Sequence, residues 1–312
     1  MKPPHPYDAG FVLNVRKPAG WTSHDAVQRL RRILHYRRIG HTGTLDPFAT
    51  GVLLCCVGRA TKLSNYLMDL TKEYAGTMLF GRRTSTGDIA GEVLEDSCPP
   101  VPERVQLEQA ARAFEGDIMQ VPPMISALKH EGRRLYQLAR AGVTVERRPR
   151  RVHVEQFAIE AVAGQRIRFR VRCARGTYVR TLVEDYGTRL GATACVAELC
   201  RTRVGPFAVD AALGVEGEVE AGTLTASAIP MAAALEHLPR WRVPGFWVRK
   251  LRDGQAPPWL VIDLETQPQA GETGRLVGPE DELIALGRAD VQPGRADRPW
   301  YDTLELQILR VL

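Results

Sequence analysis

The clearest alternation of apolar and polar residues lies in the segment Arg166-Ile-Arg-Phe-Arg-Val-Arg172. On a β-strand this order places four arginines on one face and three apolar side chains on the other, so the apolar face should pack on a core. The run Val52–Val57 is apolar throughout, which is typical of a strand buried on both faces. The segments 11–17 and 72–80 are also predicted to be strands.

Two longer segments have the apolar spacing of helices. The first begins near Thr22 or Ser23, either of which can cap a helix, and its apolar positions are Val27, Leu30 and Leu34. The second covers 179–190, with apolar residues on one face and Gly191 at its end. Shorter helices are predicted around 105–114 and 134–140.

The length and composition limit the class of protein. A chain of 312 residues exceeds the usual size of one domain, so we expect one large and one small domain. The apolar fraction of 44% and the charged fraction of 25% are those of an ordinary globular protein, which argues against disordered and fibrous classes. No apolar run is long enough to span a membrane, and the start lacks a signal-peptide pattern, so the expected location is the cytoplasm.

Charge is distributed unevenly along the chain. The net charge is +6, but residues 241–312 carry nine basic against eleven acidic residues, and residues 1–240 carry 33 against 25. The charge balance is therefore +8 over residues 1–240 and −2 over residues 241–312. A basic main domain favours a polyanionic partner such as a nucleic acid.

The six cysteines do not have the spacing of a disulfide framework or a zinc site. Cys55 and Cys56 are adjacent within the apolar run. Cys195 and Cys200 are expected on a helix, as core residues. The sequence therefore predicts no metal site.

The stretch Gly40 to Lys62 holds one carboxylate, Asp46, among three nearby glycines and Pro47 before it enters the apolar run. Glycine and proline at these positions indicate a shaped loop. A carboxylate fixed on such a loop beside a core strand is well placed for catalysis. Asp-Pro is also common in simple turns, where the aspartate only bonds its own backbone.

The string Gly-His-Thr-Gly-Thr-Leu-Asp-Pro-x-Ala-x-Gly-Val-Leu, which begins at Gly40, closely resembles the active-site motif of the TruB family. These are the bacterial tRNA pseudouridine synthases that modify position 55 in the T loop. The resemblance implies that Asp46 is the catalytic carboxylate. His41 is the candidate to fill the space that the flipped base leaves.

Three further motifs also resemble the family. Lys-x-Tyr at Tyr74 is the second motif, whose tyrosine stacks on the target uracil. Gly-Thr-Tyr-Val-Arg-Thr-Leu, ending at Leu182, is the third, and it implies that Arg180 pairs with the catalytic aspartate. The last motif contains Leu199, which would wall the uracil pocket.

The resemblance also implies a fold of the α+β class. A large mixed, mostly antiparallel sheet flanked by helices would form the catalytic domain over residues 1–240. A small β-barrel of the PUA type, which binds RNA, would follow over residues 241–312.

Basic side chains near these motifs are candidates for contacts with RNA phosphates. The four alternating arginines belong to this group, although charge on an edge strand also serves to prevent aggregation. The candidates are Lys17, Lys62, Lys129, Arg166, Arg168, Arg170 and Arg172.

The expected reaction is the isomerisation of uridine to pseudouridine in the T loop of tRNA, without a cofactor or metal. Asp46 fits two roles, as the nucleophile at C1′ or as the base at C2′ that leads to a glycal. An additional role in folding tRNA is left open, and a guide-RNA-dependent relative is the third alternative. We expect a monomer that needs no membrane and no obligate protein partner.

Overall fold

The structure is a computed structural model of the 312-residue chain. It describes residues 5–126, 128–291, 299, 301 and 304–312, and the side chains of residues 129, 130, 134, 136 and 140 are outside the described residues.

Seven helices and twenty strands are assigned within these residues. The helices are α1 Ser23–Ile33, α2 Ser64–Asp69, α3 Arg104–Arg112, α4 Leu135–Arg140, α5 Val179–Arg189, α6 Ala221–Ala226 and α7 Gly245–Arg252. The strands up to residue 230 are β1 Phe11–Lys17, β2 Ile39–His41, β3 Thr50–Val57, β4 Lys72–Phe80, β5 Arg82–Thr84, β6 Val93–Asp96, β7 Gly116–Gln120, β8 Lys129–His130, β9 Arg133–Arg134, β10 Arg150–Ala163, β11 Arg166–Cys173, β12 Ala194–Val204, β13 Phe207–Ala208, β14 Leu213–Gly214 and β15 Ile229–Pro230. The remaining strands are β16 Arg240–Arg242, β17 Asp263–Leu264, β18 Thr273–Val277, β19 Leu283–Val291 and β20 Leu304–Val311.

One large mixed sheet organises the first two thirds of the chain. Its strand order is β14-β1-β3-β12-β4-β11-β10-β7. In addition, β2 pairs with β3, β13 with β12 and β15 with β1. The pairs β1–β14 and β3–β12 are parallel and the others are antiparallel. The expected large mixed sheet is therefore confirmed.

Burial explains why these segments take these forms. The apolar run of β3 is buried on both faces: Leu53 packs with Leu30 of α1, while Val52 lies in a cluster on the opposite face. A further core lies between the sheet and helices α3 and α5, where the hydroxyl of buried Tyr186 donates to the Leu107 carbonyl at 3.0 Å. Strand β3 is therefore an inner strand of the main sheet with apolar residues buried on both of its faces.

A second sheet, of order β17-β16-β18-β19-β20, begins with Arg240. Its interior holds Trp241 and Trp259, whose rings meet edge to face with centroids 5.0 Å apart. Leu286 and Leu312 of this second sheet region share a buried cluster with the main sheet, so the two sheets are joined by an apolar contact. No helix among the described residues is both long and apolar enough to cross a membrane.

One predicted helix is wrong. The segment with Cys195 and Cys200 forms strand β12, which lies between β3 and β4. Cys195 is fully buried, in keeping with its predicted core position, whereas Cys200 is half-buried. The other long helices occur as expected, and α1 has a capping box in which the side chains of Thr22 and Asp25 each accept from the other's backbone N–H.

Candidate active site

The loop that carries Asp46 runs from β2 to β3 and is tied down at several points. The amide N–H of Leu45 donates to the Ser23 hydroxyl at 2.8 Å, which anchors the loop to the start of α1. The amide of Thr42 donates to the Leu54 carbonyl at 3.0 Å. Leu45 is buried at 3% exposure, so the loop is a shaped region of the core, as its glycines and proline predict.

A buried cation supports this loop from below. Lys17 is fully buried, and its Nζ donates to the carbonyls of Pro18, Trp21 and Pro47 at 2.7, 2.7 and 3.2 Å. Burial lowers the pKa of Lys17 to about 8. The prediction that Lys17 contacts RNA is therefore wrong, because its ammonium group points into the protein and bonds backbone carbonyls beneath the loop that carries Asp46.

Arg180 holds Asp46 with a two-pronged ion pair. Its Nε donates to Oδ2 of Asp46 at 2.8 Å and its Nη2 to Oδ1 at 3.0 Å. The guanidinium also bonds the carbonyls of Thr86 and Ile125 at 2.7 and 2.8 Å. The Arg180 side chain is 3% exposed and that of Asp46 32%, so the arginine lies behind the carboxylate and leaves one side of it open.

A second carboxylate lies on the other side of Arg180. Oδ2 of Asp88 is 3.7 Å from Arg180 Nε, and its Oδ1 accepts from the Thr86 hydroxyl at 2.7 Å and the Ala90 amide at 3.0 Å. The sequence shows Asp88 only within a polar connection, so its place beside Arg180 was not predicted. The signal available in the sequence was the Thr-Gly-Asp turn chemistry, which fixes an aspartate against the backbone.

The electrostatic balance at Asp46 combines opposing effects. Burial raises the pKa of the Asp46 carboxyl, the Arg180 guanidinium opposes this rise, and the negative charge of Asp88 adds to it. A carboxylate that is desolvated yet held ionised by an arginine is more reactive than one in water, because less solvent must be displaced from it. Arg180 thus orients the group and favours its charged form, whereas burial disfavours that form.

Asp46 opens into a cavity of about 340 Å³. Tyr74 on β4 and Leu199 on β12 contribute to its wall, as do Arg180 and residues of the loop that carries Asp46. Burial raises the pKa of the Tyr74 hydroxyl, so the ring is a neutral surface at ordinary pH. The cavity therefore offers an aromatic face, an aliphatic wall and a carboxylate at one end.

Arg201 was missed in the sequence, and it links three elements of the site. Its Nε donates to the Val52 carbonyl at 2.7 Å and its Nη2 to the Gly43 carbonyl at 3.1 Å, and it stands opposite Tyr74 in the β4–β12 pair. It is buried at 3% exposure. Because it is buried and bonded to these two carbonyls, Arg201 ties β12 to β3 and to the loop that carries Asp46.

Comparison with known proteins identifies the family. The model of the TruB family pseudouridylate synthase N-terminal domain matches residues 31–179. A tRNA pseudouridine synthase B from Stutzerimonas stutzeri is 42% identical over 297 residues, which cover 90% of this chain and 95% of that protein. The chain belongs to the TruB family. A second TruB-family relative, from Moorella thermoacetica, is 44% identical over 289 residues, covering 90% of this chain and 94% of that protein.

Solved structures give the same fold over the whole chain. The chain in a Cbf5-Nop10-Gar1 complex has a TM-score of 0.74 and 29% identity, covering 98% of this chain and 84% of that one. An H/ACA RNP bound to a substrate RNA containing 2′-deoxyuridine has a TM-score of 0.72 and 26% identity, with coverage of 97% and 84%. The likeness therefore extends beyond the segment that the TruB family model matches and includes the second sheet.

His41 lies at the end of β2, next to the catalytic loop. Its Nδ1 accepts from the Gly43 amide at 3.3 Å, and its side chain is half-buried. Among the residues that line the cavity in the described region of the chain, the loop is represented from Thr42 onwards and not by His41. Its predicted role, which is to replace a flipped base, stays a prediction.

The four arginines of β11 lie on the face of the sheet opposite the cavity. Val171 stands directly across from Tyr74 and shares its face, so the alternating arginines point the other way. The predicted burial of the three apolar residues is confirmed. The arginines form ion pairs with carboxylates of neighbouring strands: Arg166–Glu198, Arg168–Glu160, Arg170–Glu73, Arg170–Glu160 and Arg172–Glu155.

These ion pairs change the interpretation of the arginine row. The strand β11 is central, between β4 and β10, so protection of a sheet edge does not explain the charge. Each positive charge is matched by a carboxylate, and none lies on the face of the sheet that lines the cavity. We therefore no longer propose the row as the phosphate contact surface.

The remaining two predicted RNA contacts, both lysines, have different outcomes. Lys62 Nζ donates to the Val311 carbonyl at 2.9 Å, which connects it to the last strand, β20. Lys129 forms β8 with His130, opposite β9, and its side chain lies outside the described residues. Within the described residues, no group of three or more His, Cys, Asp or Glu is arranged to bind a metal.

Proposed function

We propose that this protein isomerises uridine to pseudouridine at position 55 in the T loop of tRNA, with Asp46 as the essential carboxylate. The observation that carries the proposal is the two-pronged bond from buried Arg180, which presents Asp46 to a cavity walled by Tyr74 and Leu199 in a TruB-family chain. The TruB-family relatives named above are tRNA pseudouridine synthases, which supports tRNA as the substrate.

The reaction begins with the target nucleotide flipped out of the folded loop, at a cost of a few kcal/mol. The C1′–N1 bond breaks and its electron pair stays with the base. Asp46 then either bonds to C1′ or removes the proton from C2′. The detached base turns and C5 bonds to C1′, while the Asp46–C1′ bond breaks in the first route or Asp46 returns the proton to C2′ in the second. The C5 proton is then lost while N1 gains one, so the isomerisation needs no net electrons or protons.

The surrounding side chains have distinct roles in this proposal. Tyr74 stacks on the uracil and keeps it in place while it is detached. Leu199 excludes water that would otherwise capture the reactive sugar. Arg180 orients Asp46, and His41 occupies the space left in the RNA loop. Since Arg201 stands opposite Tyr74 on the neighbouring strand and donates to the Gly43 carbonyl, it connects the strand pair that carries the stacking ring to the loop that carries Asp46.

We propose that the second sheet belongs to the RNA-binding PUA domain expected from the sequence and that it extends the RNA contact surface. We also propose that the enzyme acts as a single chain in the cytoplasm. These proposals rest on the strands from Arg240 onwards and on the tRNA-directed activity of the named relatives.

The direct test is a mass-spectrometric map of pseudouridine in an unmodified tRNA and in its isolated T-arm hairpin after incubation with the pure protein. The expected result is one pseudouridine, at the T-loop target. A hairpin with cytidine at that position is the matched control and should stay unmodified. Pseudouridine at other positions only, or activity that EDTA abolishes and a metal ion restores, would contradict the proposal.

A further inference from the structure

Four cations converge where the main sheet meets the last strand. The Gly58 amide donates to the Arg38 carbonyl at 2.9 Å, which places Arg38 beside Arg59. The bond from Lys62 to Val311 brings Arg310 of β20 to the same place. We refer to Arg38, Arg59, Lys62 and Arg310 as the junction patch.

The junction patch differs from the arginine row in its partners. Among the described residues, none of its members has a carboxylate within 4.0 Å, whereas each arginine of β11 has at least one. The charge of Arg38 acts on Asp8, whose oxygens accept from the Tyr36 hydroxyl at 2.6 Å and the His5 amide at 2.8 Å. The positive charge of the patch is therefore not neutralised within the described residues.

Gathering like charges without partners costs free energy. Burial and the nearby guanidiniums of Arg38, Arg59 and Arg310 lower the pKa of Lys62. The three arginines are exposed, and Lys62 is half-buried with its ammonium group on the β20 backbone. Exposed guanidiniums of one sign suit an anion with several charges, such as consecutive phosphates of a nucleic acid backbone.

The patch lies far from the catalytic carboxylate. Asp46 precedes the first residue of β3, and Arg59 follows the end of that strand. An eight-residue strand spans about 25 Å. A nucleotide in the cavity therefore cannot touch the patch, and the phosphates that reach it must belong to another region of the RNA.

We propose that the junction patch binds backbone phosphates of tRNA outside the T loop, so that the main sheet and the last strand hold one RNA together. The inference rests on the proposed function for the identity of the RNA. The excess of +8 in residues 1–240 favours an anionic partner, and the patch adds Arg310 from a C-terminal region whose own balance is −2.

The test compares two triple variants that each remove three positive charges. The patch variant is Arg38→Gln, Arg59→Gln and Arg310→Gln, with Lys62 kept because it bonds the Val311 carbonyl. The matched control is Arg166→Gln, Arg168→Gln and Arg172→Gln in the ion-paired row. Affinity for full-length tRNA and for the isolated T-arm hairpin is measured between about 50 and 200 mM salt, the range over which phosphate contacts have their largest effect.

The patch variant should bind full-length tRNA at least about tenfold more weakly at low salt, and the slope of log affinity against log salt should fall by about one per lost phosphate contact. Its binding to the hairpin and its single-turnover pseudouridine formation there should match those of the unmodified protein. The control should bind both RNAs normally.

Equal weakening by the two triple variants would show a general charge effect and overturn the inference. Equal weakening of hairpin and tRNA by the patch variant would also overturn it, because the contact would then lie within the T arm. A protein that binds tRNA through the patch but forms no pseudouridine would refute the proposed function and leave the patch intact.

Discussion

Replacing Arg180 by lysine tests how the site keeps Asp46 ionised. Lysine retains a positive charge but not the fork that bonds both carboxylate oxygens, so one charge-assisted hydrogen bond is lost. Such a bond contributes about 1.5–3 kcal/mol. Because this bond favours the ionised carboxylate, its loss should raise the pKa of Asp46 further.

The sign of the effect on activity follows from the reaction. Only ionised Asp46 can attack the sugar or take its proton, so activity is lost as the pH falls through the pKa of this carboxyl. Burial already raises the pKa of Asp46 and Arg180 opposes that rise. In Arg180→Lys the acidic limb of the pH–rate profile should therefore move to higher pH.

The assay is single-turnover pseudouridine formation on the T-arm hairpin across the acidic range. Stability should also fall by about 2–4 kcal/mol, because lysine leaves the carbonyls of Thr86 and Ile125 without their donors. Arg170→Lys is the control, since it weakens a comparable ion pair on the opposite face of the sheet and should leave the profile unchanged. A slower Arg180→Lys enzyme with an unshifted acidic limb would refute this reasoning.

Three other substitutions test further regions of the structure. Asp88→Asn removes a negative charge that raises the pKa of Asp46, so the acidic limb should move to lower pH, and an upward shift would contradict the assigned electrostatics. Lys17 has its pKa lowered from 10.5 to about 8, so the unfolded chain binds more protons between these values and the unfolding free energy should rise with pH across that window. In Lys17→Met this increase in unfolding free energy, on the order of 3 kcal/mol, should be absent when urea unfolding is measured at both ends of the window. An unchanged pH dependence would count against the burial of this charge. Gly51→Ala should destabilise the fold by about 2–5 kcal/mol in thermal melts, because φ at Gly51 is +106° and the new Cβ would lie 2.2 Å from a backbone oxygen. A Cβ at Gly40 would meet nothing within 4 Å, so the control Gly40→Ala should cost under about 1 kcal/mol in the same melts.

Local sequence patterns predicted the elements whose burial follows from their own residues. The alternation in β11 and the continuous apolar run in β3 both correspond to strands with the expected buried faces. The segment with Cys195 and Cys200 was predicted as a helix and forms strand β12. It contains Ala197, Glu198 and Leu199, which favour helices, but backbone pairing with β3 and β4 outweighs that preference.

The site residues that were predicted are those that lie within short, continuous sequence motifs. Asp46, Tyr74, Arg180 and Leu199 each lie in a recognisable motif, and the structure brings all four to one cavity. The motifs do not show which basic side chains point inwards. Lys17 is as basic in the sequence as any surface lysine, and only the fold reveals its backbone partners.

The same limit explains the arginine row and the two residues missed at the site. The carboxylates that neutralise the row, such as Glu73 and Glu198, come from strands distant in the sequence. Asp88 and Arg201 likewise contact the catalytic loop or its arginine across large sequence separations. Contacts of this kind depend on strand order and register, which periodicity alone does not determine.

The most direct measurement is the single-turnover yield of pseudouridine from Asp46→Asn, on a preparation whose melting temperature and tRNA affinity are determined in parallel. Asparagine is nearly isosteric and can still accept a hydrogen bond from Arg180, so the loop should keep its shape. The account predicts no detectable pseudouridine, with tRNA affinity equal to or slightly above that of the unmodified protein, because a negative charge facing a polyanion has been removed. Appreciable pseudouridine formed by a well-folded Asp46→Asn protein would contradict the assignment of Asp46 as the essential carboxylate.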